Sequence, residues 1–122
     1  MTHRPMEATL FNICDGYKRK RVPFSNGPLK NSKGENAASA AIFAYAMEKG
    51  LSVADTLILF GEHHQTVLAE PDGESHRNIR QFMETGFDGL KFPKGNGLKK
   101  RKRTLSSVVE LLWDNRADIE PE

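Results

Sequence analysis

Apolar positions recur along much of the chain at spacings of three and four, the period of a helix with one buried face. Pro5, followed by Glu7, Leu10, Phe11, Cys14 and Tyr17, reads as a short first helix with proline in its opening turn. Lys18 to Gly34 then breaks the period with consecutive cations, Pro23, Asn26-Gly27-Pro28 and Gly34, and reads as a loop pinned to the core by Phe24 and Leu29. A second helix is expected over Ala37 to Lys49, capped by Asn36 and stopped by Gly50, with Ala38, Ala41, Ile42, Tyr45 and Ala46 on one face. Ser52, with Asp55 three positions on, resembles a capping box for a third helix. There Val53, Leu57, Phe60, His64, Val67 and Leu68 carry an apolar stripe as far as Glu70, with Gly61 a place to bend.

Pro71-Asp72-Gly73 marks a turn, and Ser75 opens a fourth helix that buries Ile79, Phe82 and Met83 before Gly86 ends it. Phe87 to Phe92 reads as a turn with apolar pegs, and Pro93 to Arg103, with Gly95 and Gly97, as a mobile linker. A last helix near Thr104 to Asn115 shows Leu105, Val108, Val109, Leu112 and Trp113 as an unbroken stripe, and an acidic tail follows. No repeat of ~20–50 residues and no convincing strand pair is visible. The expected fold is therefore all-α: a small bundle of about four to five short helices with a flexible basic linker before the last. The expected division is a helical domain over 1–92, the linker over 93–103, and the amphipathic helix and tail over 104–122.

A length of 122 residues fits one domain. A chain of that size buries roughly 65% of its unfolded surface, enough to stand without a metal or a bridge. Cys14 is the single cysteine, so no internal disulfide can form, which suits a reducing compartment. No apolar run approaches the roughly 20 residues of a membrane span, and the start lacks the apolar stretch of a Sec-type signal. The expectation is a soluble protein, cytoplasmic in the cell that makes it, with no cofactor required.

Charge changes the picture most. The formal net charge of +2 conceals two runs, Lys18-Arg19-Lys20-Arg21 and Lys99-Lys100-Arg101-Lys102-Arg103, which hold half of the 18 basic residues. The other nine face 16 acidic residues, so the rest of the chain carries a formal charge of −7. An acidic domain bearing two basic runs points to phosphate or nucleic-acid contact, with affinity that falls as salt rises. The second run also resembles a short nuclear-import signal, and its bland reading is a solvated tether. Neither run interleaves aromatics, as a binder of stacked single-stranded bases would.

Other chemistry is sparse. Glu35, Glu62, Asp72, His76, Asn78 and Arg80 form a candidate polar site, which reads first as a structural network and second as a ligand site. Asp72 is placed to close its turn, and Arg80 shares a helix face with His76, within reach of Glu35 or Glu62. His64 and His76 are the candidate metal ligands if their helices bring them together. Yet the spacings of known zinc motifs are absent, and His64 falls on an apolar stripe. Gly34-Glu35-Asn36 could hold an anion at a helix start, but Glu35 would repel it and capping is favoured. Cys14 has no histidine near it in sequence and reads as a small apolar residue. No catalytic constellation is complete, so binding is favoured over catalysis.

The middle of the chain carries a resemblance. Ser25-Asn26-Gly27-Pro28-Leu29-Lys30-Asn31, Gly34-Glu35-Asn36 and Ile42-Phe43-Ala44-Tyr45-Ala46 are followed by Gly50-Leu51-Ser52, Thr56-Leu57, Phe60-Gly61-Glu62 and Val67-Leu68. Pro71-Asp72-Gly73, His76, Asn78-Ile79-Arg80, Phe82-Met83, Gly86, Asp88-Gly89 and Phe92 complete the series. In order, these resemble the HopJ family of type III effector proteins, across roughly Tyr17 to Phe92. The resemblance implies a compact helical fold, and that some relatives are delivered into host cells by a secretion needle; a host or cellular protein is the expected partner. It implies no catalytic residues. The chain departs from the family pattern at Lys18 to Arg21, at His63-His64 in place of paired tyrosines, and beyond Phe92. A nucleic-acid partner for the basic runs is the alternative reading, and a small enzyme or metal site around His64, Asp72 and His76 a third.

Overall fold

The computed structural model describes residues 5–101. The C-terminal helix expected near Thr104, with Lys102 and Arg103 of the second basic run, lies outside the described residues. In order the chain forms α1 (Met6–Gly16), β1 (Tyr17–Arg19), β2 (Phe24–Asn26), β3 (Leu29–Asn31), α2 (Ala37–Lys49), α3 (Val53–Ile58), α4 (Glu62–Ala69) and α5 (Arg77–Thr85). A 3-10 turn (Gly86–Gly89), β4 (Leu90–Lys91) and β5 (Leu98–Lys100) follow.

The all-α expectation is wrong: the fold is mixed, with two small antiparallel sheets set among the helices. One has the order β3-β2-β4, the other joins β1 to β5. The sequence read as a loop at 18–34 and a linker at 93–103 holds most of these strands. Each is only two or three residues long, too short to display an alternating pattern. The β2–β3 hairpin has Asn26 opposite Leu29, so Gly27 and Pro28 form its two-residue turn. Gly27 takes φ 57° at the first central position and proline's fixed φ suits the second, the sign pattern of a II′ turn whose twist matches a hairpin.

The core lies between α2, α5 and the three-stranded sheet. Phe43, fully buried on α2, meets Phe82 of α5 at 4.8 Å, Phe60 at 5.3 Å and Phe24 of β2 at 6.1 Å between ring centroids. Ile13, Ile42, Leu57, Val67, Ile79 and Leu90 fill the space around these rings. On α1 the buried face runs through Thr9 and Ile13, not Phe11, which is 75% exposed. Met83, expected inside, is also exposed.

The single third helix expected from Val53 to Glu70 is two helices. The chain turns at Gly61 (φ 56°, ψ −126°), which starts α4 in a new direction. Ser52 caps α3 as expected, its hydroxyl accepting from the Asp55 amide at 3.0 Å. Asn36 does not cap α2 with its side chain. It sits in the left-handed region (φ 53°) and donates from Nδ2 to Asn31 Oδ1 at 2.7 Å.

Candidate functional site: a basic ribbon and a polar cleft

The two basic runs meet. In the β1–β5 ladder Tyr17 stands opposite Lys100, Lys18 opposite Lys99, and Arg19 opposite Leu98. The ladder continues at both ends, with Lys20 N–H donating to Gly97 O (2.8 Å) and Arg101 N–H to Gly16 O (3.0 Å). Bonds at alternate pairs make Lys18–Lys99 a hydrogen-bonded pair, with Cα atoms about 5.5 Å apart and side chains on the same face. Gly97 makes this closeness attainable. Its φ is 77°, and a Cβ there would collide with the Lys20 carbonyl and press on Val22.

Lys18, Lys20, Lys99 and Lys100 are exposed and form no ion pair among the described residues. Arg19 and Arg101 have partners, but uncharged ones. Arg19 reaches Cys14 Sγ (3.7 Å) and Ala37 O (3.4 Å), while Arg101 donates from Nε to Cys14 O (2.9 Å) in the last turn of α1. A cation there suits the negative end of the helix dipole and leaves the charge unneutralised. Beside the ribbon a groove of about 250 Å³ is lined by Arg19, Lys20, Arg21, Ala37, Asn96 and Leu98, among others.

The second feature is a cleft of about 460 Å³ where the starts of α2 and α5 face β3 and α4. Its floor is a cluster of buried amides. Asn26 Nδ2 donates to Asn78 O (2.9 Å) and Asn78 Oδ1 (3.0 Å), Asn31 Nδ2 to Asn78 Oδ1 (3.3 Å), and Asn78 Nδ2 to Asn31 Oδ1 (3.0 Å). Of the residues picked out from sequence as a polar site, Glu35, His76 and Asn78 line this cleft. Glu62 is not among the lining residues; it accepts from the amide of Met6 (2.9 Å), which is. Asp72 is exposed on its turn. Arg80 engages neither Glu35 nor Glu62: it donates to the carbonyls of Ser75, Glu70 and Pro71 and so clamps the loop before α5. Asn26 and Asn31 read from sequence as loop and family-motif positions and Arg77 as an ordinary helix cation, because nothing local marks a neutral amide or a lone arginine as part of a cleft.

His64 is buried on α4 beside Val67, and the imidazole that meets His76 is that of His63, at 4.7 Å between rings. No group of three or more His, Cys, Asp or Glu among the described residues is arranged to hold a metal. His76, like Asn36 a non-glycine residue with positive φ (53°), immediately precedes α5. Burial, then the charges of His63 and Arg80, hold its pKa below the ordinary value of 6.5, and Glu70 opposes them. Glu62 is also lowered, chiefly by accepting from the Met6 amide, and His63 adds to the effect.

Both shifts act in one direction. A histidine with a depressed folded pKa takes up its proton more readily when unfolded, so stability falls as pH drops below about 6.5. The glutamate's contribution is present above 4.5 and is lost on further acidification. Urea midpoints are expected to decline from pH 7 to pH 5, and His76→Gln to flatten the upper part of that decline. A midpoint rising toward pH 5 would contradict the assignment.

With fold and surfaces in view, comparison places the chain. It belongs to the HopJ type III effector protein family, whose model matches residues 2–96. A solved crystal structure of a protein of unknown function, VPA0580, is similar at 35% identity and a TM-score of 0.76, over 80% of this chain and 81% of that one. Among curated proteins none matches. Among the described residues no helix is long and apolar enough to cross a membrane.

Proposed function

We propose that this protein is an interaction protein of the HopJ effector family that engages a host or cellular macromolecule, and that the macromolecule is a nucleic acid held by its phosphates against the β1–β5 ribbon. One observation carries the reading: Lys18 and Lys99, 81 positions apart in sequence, stand opposite each other with no carboxylate partner among the described residues. Like charges directly opposed in a ladder oppose folding, and a polyanion relieves that repulsion. The ribbon's one aromatic, Tyr17, is buried, so stacking on single-stranded bases is not favoured. A two-stranded ribbon fits the width of a duplex major groove.

Fluorescence anisotropy with a labelled 20-base-pair duplex tests this in the full chain. With about four phosphates neutralised, affinity is expected to fall roughly 100-fold between 50 and 200 mM salt. Binding indifferent to salt, or absent at 50 mM, would count against a nucleic-acid partner. If an acidic protein or anionic vesicle binds where the duplex does not, the ribbon's partner belongs to that class instead.

A further inference from the structure

We propose that the groove between the β1–β5 ribbon and α2 is a binding site for one phosphate monoester with a small apolar body. The site does not rest on a nucleic-acid role for the ribbon. Successive side chains of a strand point to opposite faces. Lys18 and Lys99 share one face of the ladder, whereas Arg19 and its partner Leu98 share the other. Arg19 and Leu98 line the groove, and Lys18 and Lys99 do not.

The groove gathers positive charge without an answering acid. Arg19, Lys20 and Arg21 all line it, and no Asp or Glu does. β1 ends at Arg19, so Lys20 and Arg21 are released from strict alternation and three consecutive cations reach one space. The side chains of Lys20 and Arg21 are exposed and have no ion pair among the described residues. The carboxylate on the α2 side, Glu48, accepts from Asn96 Nδ2 at 3.2 Å and stays outside the lining. Arg19 is already held. Its two Nη atoms donate to Cys14 Sγ and Ala37 O, which fix the guanidinium and leave its charge uncompensated. A cation fixed beforehand loses little freedom when an anion arrives.

Size and charge together define the ligand class. The groove holds about 250 Å³, below the ~300–1,000 Å³ of drug-sized pockets, so it suits one anionic group on a short body. Val22, Ala40 and Ala41, all buried, give that body an apolar floor. Three like charges in so small a space repel one another. A phosphate monoester answers them with a charge of about −1.5 to −2 at pH 7 on three acceptor oxygens. A phosphodiester or a carboxylate brings a single charge. Arginine's planar fork also bonds two phosphate oxygens at once.

The test is a ¹⁵N-resolved NMR titration of the full chain with phenyl phosphate and, separately, with its methyl diester. Phenyl phosphate is expected to shift the amides of residues 19–22 and 96–98 saturably, with a millimolar midpoint, and the diester to bind at least fivefold more weakly. Arg21 is exposed, so Arg21→Ala should keep the fold while raising the phenyl phosphate midpoint at least fivefold. Lys18→Ala, on the other face of the ladder, should leave that midpoint within twofold. A duplex with 5′-phosphates, set against one ending in hydroxyls, separates two sources of the same group. Tighter binding of the phosphorylated ends assigns the monoester to a strand end, and equal binding assigns it to a free small molecule. The proposal is overturned if phenyl phosphate moves none of these amides saturably, if the diester binds equally well, or if Lys18→Ala weakens binding as much as Arg21→Ala.

Discussion

Asn78→Ala is expected to lower the free energy of unfolding by about 3 kcal/mol, from the loss of three side-chain hydrogen bonds in a buried network at roughly 1 kcal/mol each. The bonds lost are those of Asn78 with Asn26 and, in both directions, with Asn31. They tie both strands of the β2–β3 hairpin to the first turn of α5. Two survivors temper the loss: Asn26 still reaches the Asn78 carbonyl, and Asn31 still accepts from Asn36. Against the 5–15 kcal/mol typical of a domain, the effect is a large fraction of the total. Urea denaturation should show a lower midpoint with an unchanged slope. A change under 1 kcal/mol would mean that the amides are replaceable by water and do not hold the hairpin.

Lys18→Glu is expected to weaken duplex binding at 50 mM salt by at least tenfold while raising thermal stability. One phosphate contact is lost and the slope of log affinity against log salt shrinks by about one. In the same step an opposed Lys–Lys pair becomes Glu–Lys, worth ~0.2–1 kcal/mol in favour of folding. Opposite changes in binding and stability separate a functional surface from a structural one. Gly97→Val completes the argument, because it keeps every cation. A Cβ at Gly97 runs into the Lys20 carbonyl, so the variant should push β5 off β1 and lose affinity like a charge deletion. If Gly97→Val binds as tightly as the parent, the cations act as independent tethers and their juxtaposition is irrelevant.

The elements legible in the sequence were those with a long local period. The α2 and α5 stripes, the turn at Pro71–Gly73 and the Ser52 cap all stood out because helix signals lie within a few residues of one another. The strands were not legible. Lys18 pairs with Lys99 across 81 positions, and nothing within either run announces a partner. Phe24, Asn26 and Asn31 are buried in strands of three residues, where hydrogen bonding and distant packing, not alternation, decide the conformation. His76 and Asn78 were picked out for their chemistry, but their surroundings were misjudged: His63 supplies the neighbouring imidazole and Arg80 turns to loop carbonyls. Asn36 looked like a helix cap because its side chain suits one. The structure spends that amide on Asn31 instead, which binds the helix start to the hairpin.

Hydrogen–deuterium exchange of the full chain, with and without the 20-base-pair duplex at 50 mM salt, puts the ribbon to the most direct trial. Slowed exchange is expected over residues 17–21 and 97–101 together, with the α4 and α5 amides unchanged. Protection of one run without the other, or protection centred on the α2–α5 cleft, would contradict a shared basic surface.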